Sequence, residues 1–260
     1  MFLKSTISNI STFCFFALLC WVVIYPQDWV WLVYVFLWDK IVVTTISKEI
    51  SIHRYFCHRS FSTGRLRHNF LLFTTIFSPN DLVSVARIHR AHHVTADTDM
   101  DPQKPSRKYR DILKHAFFSG NLVKKFLVLA QPFPLPKDLL KDSRQYFFYK
   151  HHDKLFVAFC VLMLLVSWKF VMFVLLAGRR LHQINNVVCG LILTHKKVPG
   201  GYRNFETKDQ SYNTPWLGYF HPGEAYHNNH HYKPNAWNFA MLPEEFDVVG
   251  WLVGKVFVRS

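Results

Sequence analysis

Histidine carries the chemistry legible in this chain. Three clusters stand out: His53-Arg-Tyr-Phe-Cys-His58, His89-Arg-Ala-His92-His93 and His227-Asn-Asn-His230-His231, together eight of the 15 histidines. In the second and third, positions i, i+3 and i+4 set three imidazoles on one helical face. His53 and His58 lie about 140° apart around an ideal helix, so they are expected to reach two different points rather than one. Neutral imidazole suits a borderline transition metal such as iron. Eight exceed one coordination sphere, which predicts two ions with positions left open for a ligand such as dioxygen. Structural zinc, the competitor, closes at four ligands and commonly recruits thiolates, and Cys57 is the one thiol within these clusters. Taken singly, His68, His115, His151, His152 and His221 read as packing or surface residues.

Ligands from three distant regions need a rigid support, and the hydropathy pattern supplies one. The 260 residues are 50% hydrophobic, 17% aromatic and 18% charged, with the apolar residues gathered into long runs; this excludes intrinsic disorder and fits a membrane protein. Four spans are predicted at about 8–26, 29–47, 155–173 and 176–195. Pro26-Gln27-Asp28 leads from the first run directly into the second, as expected of a span rather than a cleaved signal. Asp39 and Lys40 interrupt the second span and must face protein or neutralise each other. Arg179 and Arg180 conflict with a turn drawn beside them. Four crossings leave regions 48–154 and 196–260 on one side together with both termini. That side holds most of the 31 Lys and Arg, so it should be cytoplasmic. The net charge of +14 then reflects orientation and anionic lipid, not nucleic acid. Five scattered cysteines form no disulfide framework and agree with a reducing compartment.

The resemblance extends beyond the histidines. Residues 53–63 (His-Arg-Tyr-Phe-Cys-His-Arg-Ser-Phe-Ser-Thr), 89–103 (His-Arg-Ala-His-His-Val-Thr-Ala-Asp-Thr-Asp-Met-Asp-Pro-Gln), 201–207 (Gly-Tyr-Arg-Asn-Phe-Glu-Thr) and 223–231 (Gly-Glu-Ala-Tyr-His-Asn-Asn-His-His) together resemble the integral-membrane fatty acid desaturases of the acyl-CoA or acyl-lipid delta-9 type. The resemblance implies one domain over residues 1–260: an all-α membrane protein of four transmembrane helices capped by a helical cytosolic di-iron domain. It also implies a ninth histidine and a water-binding asparagine, spaced Asn-X-X-X-His near the end of the fourth span. Here Asn185 is followed at that spacing by Cys189. Either Cys189 replaces the histidine, or His195 takes the place and leaves Asn185 and Cys189 as water-mediated or outer-sphere candidates; the remaining alternative is that this iron has one ligand fewer. Ending the helical hairpin near His195 gives two spans of more adequate length and favours His195. Glu49, four residues before His53, departs from the small residues usual there; it reads as a helix-end charge or as an acceptor for a ligand imidazole.

An unactivated methylene has no acidic proton, so acid–base or nucleophilic groups cannot begin its oxidation. The implied reaction uses two iron ions and dioxygen to place a cis double bond in a fatty acyl chain carried by CoA, an acyl carrier or a membrane lipid. The sequence holds no haem motif and no flavin or nicotinamide fingerprint, so electrons are expected from a separate donor such as cytochrome b5 or ferredoxin, docked on basic residues including Arg107, Lys108, Arg110, Lys124 and Lys125. A lipid or carotenoid hydroxylase or ketolase shares the same ligand pattern. A His-rich metal transporter is the alternative from another class, but its ligands should lie mid-bilayer rather than at span ends.

Overall fold

The computed structural model describes residues 2–104 and 126–258. The basic residues 107, 108, 110, 124 and 125 and His115 lie outside the described residues. Among the described residues the chain is helical, with no strand beyond the isolated bridges Tyr202–Asn213 and Asn213–Tyr226.

Helix α1 spans Phe2–Ile24, and α2 runs over Pro26–Cys57. Both are long and apolar enough to cross a bilayer. After the α-helical segment Val30–Leu37, α2 winds with i→i+5 hydrogen bonds through Trp38–Cys57. Helices α3 (Arg65–Thr74) and α4 (Leu82–Thr95) follow. Helix α5 covers Ser143–Leu164. Contiguous helical segments over residues 170–192 form α6, and the short α7 (His227–Tyr232) and α8 (Val248–Val256) complete the chain.

Helix α6 packs on α1, α2 and α5. The α5–α6 turn falls at residues 165–167, earlier than the hydropathy boundary between 173 and 176. Arg179 and Arg180 account for the difference, because both are buried within α6. Arg179 donates to the carbonyls of Ser78 and Pro79 at 3.0 Å each and lies 4.4 Å over the Phe156 ring. With its charge solvated by protein in this way, the helix continues through the pair. Asp39 is likewise fully buried and receives Lys40 at 2.8 Å and Thr44 at 3.2 Å, with His182 Nδ1 at 3.1 Å. Both readings of the Asp39-Lys40 pair hold: it faces protein and neutralises itself.

The α1–α2 and α5–α6 turns meet at one end of the bundle. There Asp28 accepts from Trp21 Nε1 at 2.6 Å and from Lys169 at 3.1 Å, and the Trp21 and Trp168 rings stand 6.0 Å apart. Helix α2 carries its histidines to the opposite end. An apolar core joins α2 (Ile50, Ile52, Phe56), α3 (Leu71, Leu72), α4 (Leu82, Ala86) and α8 (Val249, Val253). Arg54 ties this end to the C-terminal segment through Asp247 at 2.8 Å and the Trp237 carbonyl at 2.7 Å.

Candidate metal centre

Helix α4 begins at Asp81, whose carboxylate accepts from Ser84 N at 2.8 Å, a side-chain N-cap. Arg90 locks α4 to the end of α2 by donating to the Cys57 and Phe56 carbonyls, and it makes a bidentate pair with Asp138 at 2.8 Å. Helix α7 is too short to hold itself, and its two asparagines anchor it from opposite sides. Asn228 Oδ1 accepts from the amides of Asn204 and Phe205 at 2.9 Å. Asn229 Nδ2 donates to Glu245 at 2.7 Å and to the Phe239 carbonyl at 2.8 Å. In His-Asn-Asn-His-His the asparagines thus grip the protein while the histidines turn inward.

The nine predicted imidazoles gather into two groups: His53, His58, His89, His93 and His230 in one, and His92, His195, His227 and His231 in the other. The donor atoms within each group lie within 4.8 Å of one another. The second and third clusters divide along their helices. His89 and His93, stacked at i and i+4, serve the first group while His92 turns to the second; in α7, His227 and His231 serve the second and His230 the first. His53 and His58 meet in one group, contrary to the expectation that they diverge. That expectation assumed α-helical winding, whereas the His58 amide donates to the His53 carbonyl at 3.0 Å, and i→i+5 winding returns residue i+5 near the direction of residue i.

The Nε2 atoms converge. In the first group the separations are 2.8 Å for His58–His89, 3.0 Å for His89–His93, 2.9 Å for His93–His230 and 3.1 Å for His53–His230. In the second, His195 and His227 are 3.0 Å apart. Two ligands about 2.1 Å from one cation and at right angles to each other stand about 3.0 Å apart, so the spacing fits metal ions. His231 Nε2 is buried without a hydrogen-bond partner among the described residues, the state of an atom aimed at a cation. On the far side of the rings, Nδ1 meets carboxylates: His53 with Glu49 at 2.8 Å, His92 with Asp101 at 2.9 Å, His195 with Asp97 at 2.9 Å, His227 with Glu224 at 2.6 Å and His231 with Asp209 at 2.9 Å. Each imidazole donates its Nδ1 proton to the carboxylate, which fixes the tautomer and turns the Nε2 lone pair inward.

The electrostatics agree. Burial, reinforced by neighbouring imidazoles, holds His58, His89, His93, His227 and His230 well below the ordinary histidine pKa. Burial brings His231 down to about 4 although Asp209 opposes it. Against burial, the His231 hydrogen bond holds the Asp209 carboxyl below the usual carboxylate range. Neutral rings are the state that metal ligation requires.

The chain matches the sequence model of the fatty acid desaturase family over residues 29–256. It belongs to that family.

Membership places this desaturase chain in an oxidoreductase class, the oxygen-dependent fatty acyl desaturases. It is 28% identical over 184 residues to an sn-1 stearoyl-lipid 9-desaturase of Anabaena variabilis, covering 70% of this chain and 64% of that protein. Identity to the Delta-9 desaturase-like 5 protein of Arabidopsis thaliana is 27% over 255 residues, 95% of this chain and 79% of the relative. With Delta-9 acyl-lipid desaturase 1 of the same plant it is 26% over 192 residues, 70% and 58% of the respective lengths.

Around the centre of this desaturase chain, Cys189 is half-buried and stands in neither imidazole group, whereas His195 stands in the second. Asn185 is buried, and the next residue, Asn186, borders a cavity. That cavity reaches His53, His89, His92 and His227 and is walled on its apolar side by Ile52, Val85, Ile88, Phe126, Val187 and Leu191. Sequence reasoning left Glu49 open and assigned no role to Asp97, Asp101, Asp209 or Glu224, the other carboxylates behind the rings. Three of these lie inside the quoted motifs; Asp209 had no local signal. His182, bound to Asp39, was also missed.

Proposed function

We propose that the protein is a membrane di-iron desaturase that introduces a cis double bond into a fatty acyl chain, at the delta-9 position by analogy with its relatives, using dioxygen and an external electron donor. The observation that carries this reading is the convergence of nine imidazoles into a set of five and a set of four. His53, His58, His89, His93 and His230 would hold one iron, and His92, His195, His227 and His231 the other. Bound there, the irons supply the activation of dioxygen that an unactivated methylene needs.

The protein's own residues orient and exclude. Glu49, Asp97, Asp101, Asp209 and Glu224 keep five ligand rings in one tautomer. The cavity wall of Ile52, Val85, Ile88, Val187 and Leu191 would hold an alkyl chain beside the metals and keep water from it. Helices α1, α2, α5 and α6 would form four spans near 8–26, 29–47, 155–173 and 176–195, the boundary of the last two adjusted to the turn at residues 165–167. The metal-binding end then faces the cytoplasm, where cytochrome b5 or ferredoxin supplies electrons. The substrate is an acyl-CoA, an acyl-carrier conjugate or a membrane lipid. The imidazoles cluster at the end of α2 and beyond, a placement that favours an oxidase over a transporter.

Fatty-acid analysis of a heterologous host expressing the full chain tests the activity. New monounsaturated acids that disappear in the His92→Ala variant are expected. Hydroxy acids in their place, or no change with iron-loaded protein present, would refute desaturation.

A further inference from the structure

We propose that Lys48 is a positioning residue that couples the two imidazole groups by bridging the carboxylates behind one ring of each. The inference rests on the two-metal reading. Lys48 Nζ lies 2.6 Å from Glu49 Oε1 and 3.3 Å from Glu224 Oε1. Each carboxylate uses its other oxygen on a different group: Glu49 Oε2 is 2.8 Å from His53 Nδ1, and Glu224 Oε2 is 2.6 Å from His227 Nδ1. Glu224 Oε1 also lies 3.7 Å from His53 Nδ1. One ammonium therefore stands at the junction of both second spheres.

Both carboxylates are buried, 0% and 2% exposed. Two acidic side chains so placed, each serving a different imidazole, would turn away from each other without a common donor between them. A carboxyl group that turns away leaves its imidazole unoriented, and that ring becomes a weaker ligand. Lys48 holds both Oε1 atoms and so keeps both Oε2 atoms on their rings. The surroundings are shaped for this arrangement. Gly223 sits at φ +99, and a Cβ there would fall 2.6 Å from Glu49 Cγ, so only glycine leaves room for the Glu49 side chain. Arg54 holds that loop by donating to the Gly223 carbonyl at 3.2 Å. The ammonium also occupies the gap in the Glu49–His53–Glu224 set that another cation would otherwise fill.

The test is a cobalt(II) titration of the full-length, metal-free protein in detergent, read by visible absorption. Wild type should take up two equivalents. Lys48→Met should weaken binding by roughly tenfold or more, and Lys48→Arg should recover most of the loss because it restores the charge. Uptake of a third cobalt by Lys48→Met would also support the inference, since it shows that the carboxylate pair demands a cation. If Lys48→Met does not accumulate as folded protein, Lys48→Gln, shorter and uncharged, loses the bridge and should weaken binding in the same direction. Two equivalents in wild type with an indistinguishable titration in the uncharged variant would overturn the role of Lys48. An arginine variant no better than methionine would also overturn it. A wild type that binds fewer than two would instead remove the two-metal reading on which the inference stands.

Discussion

The two imidazole groups reach a similar end by different means. The second has four rings, and every one of them has a carboxylate behind it: Asp101, Asp97, Glu224 and Asp209. The first has five rings, and among the described residues only His53 has such a partner, Glu49; His230 Nδ1 is buried with no hydrogen-bond partner among them. Anionic acceptors make the rings of the second group stronger donors, while the first relies on ligand number. Chain geometry enforces the division, because α4 and α7 each give an i, i+4 pair to one group and the intervening residue to the other. The lesson is that two ligand sets can share two helices and still sit in different electrostatic surroundings.

The largest expected effect separates neighbouring residues. His230→Ala and His231→Ala should each abolish desaturation, but the first should empty the five-ring site and the second the four-ring site. Iron analysis with Mössbauer spectra of each variant checks this, and loss of the same spectral component from both would break the division. Next in size are the carboxylates. Asp209→Asn should lower metal affinity about 10- to 100-fold, and Glu49→Gln by less, since four other rings remain in its group. Equal effects, measured by competition with a chelator, would erase the contrast between charge and number.

Much of this site was legible in the sequence, for identifiable reasons. The spacing of His89, His92 and His93 and its echo in His227, His230 and His231 is local, and local periodicity survives into the fold. Which metal each ring would serve was not legible, because positions i, i+3 and i+4 read as one face until two centres flank it. The His53–His58 expectation failed on the winding of α2, which no side-chain pattern announces. Asp209 comes from a segment whose approach to His231 depends on the whole tertiary arrangement. Hydropathy found the apolar block of α5 and α6 but misplaced its turn, because Arg179 is satisfied by carbonyls 100 residues away in sequence that a hydropathy window does not see. The charge pair Asp39-Lys40 was read correctly because a charge within a span leaves few options.

Smaller effects sharpen the comparison further. Burial lowers the pKa of His58, His89, His93 and His230 in the folded state, so the unfolded chain binds protons first as pH falls through about 6.5. Stability contributed by the neutral rings is therefore lost as pH drops. The thermal midpoint of metal-free protein should fall between about pH 7 and 5, and a midpoint that rises on acidification would contradict the burial argument. Smallest of all, Cys189→Ser should change activity by less than about twofold, as for a near-isosteric change outside both groups, whereas His195→Ala should lose metal; the reverse order in a paired assay would make the thiol the ligand.

The most direct test is the iron content and Mössbauer spectrum of full-length protein produced with 57Fe. Two irons per chain, as two inequivalent components of equal area, are predicted. A single iron, or zinc in its place, would contradict the account.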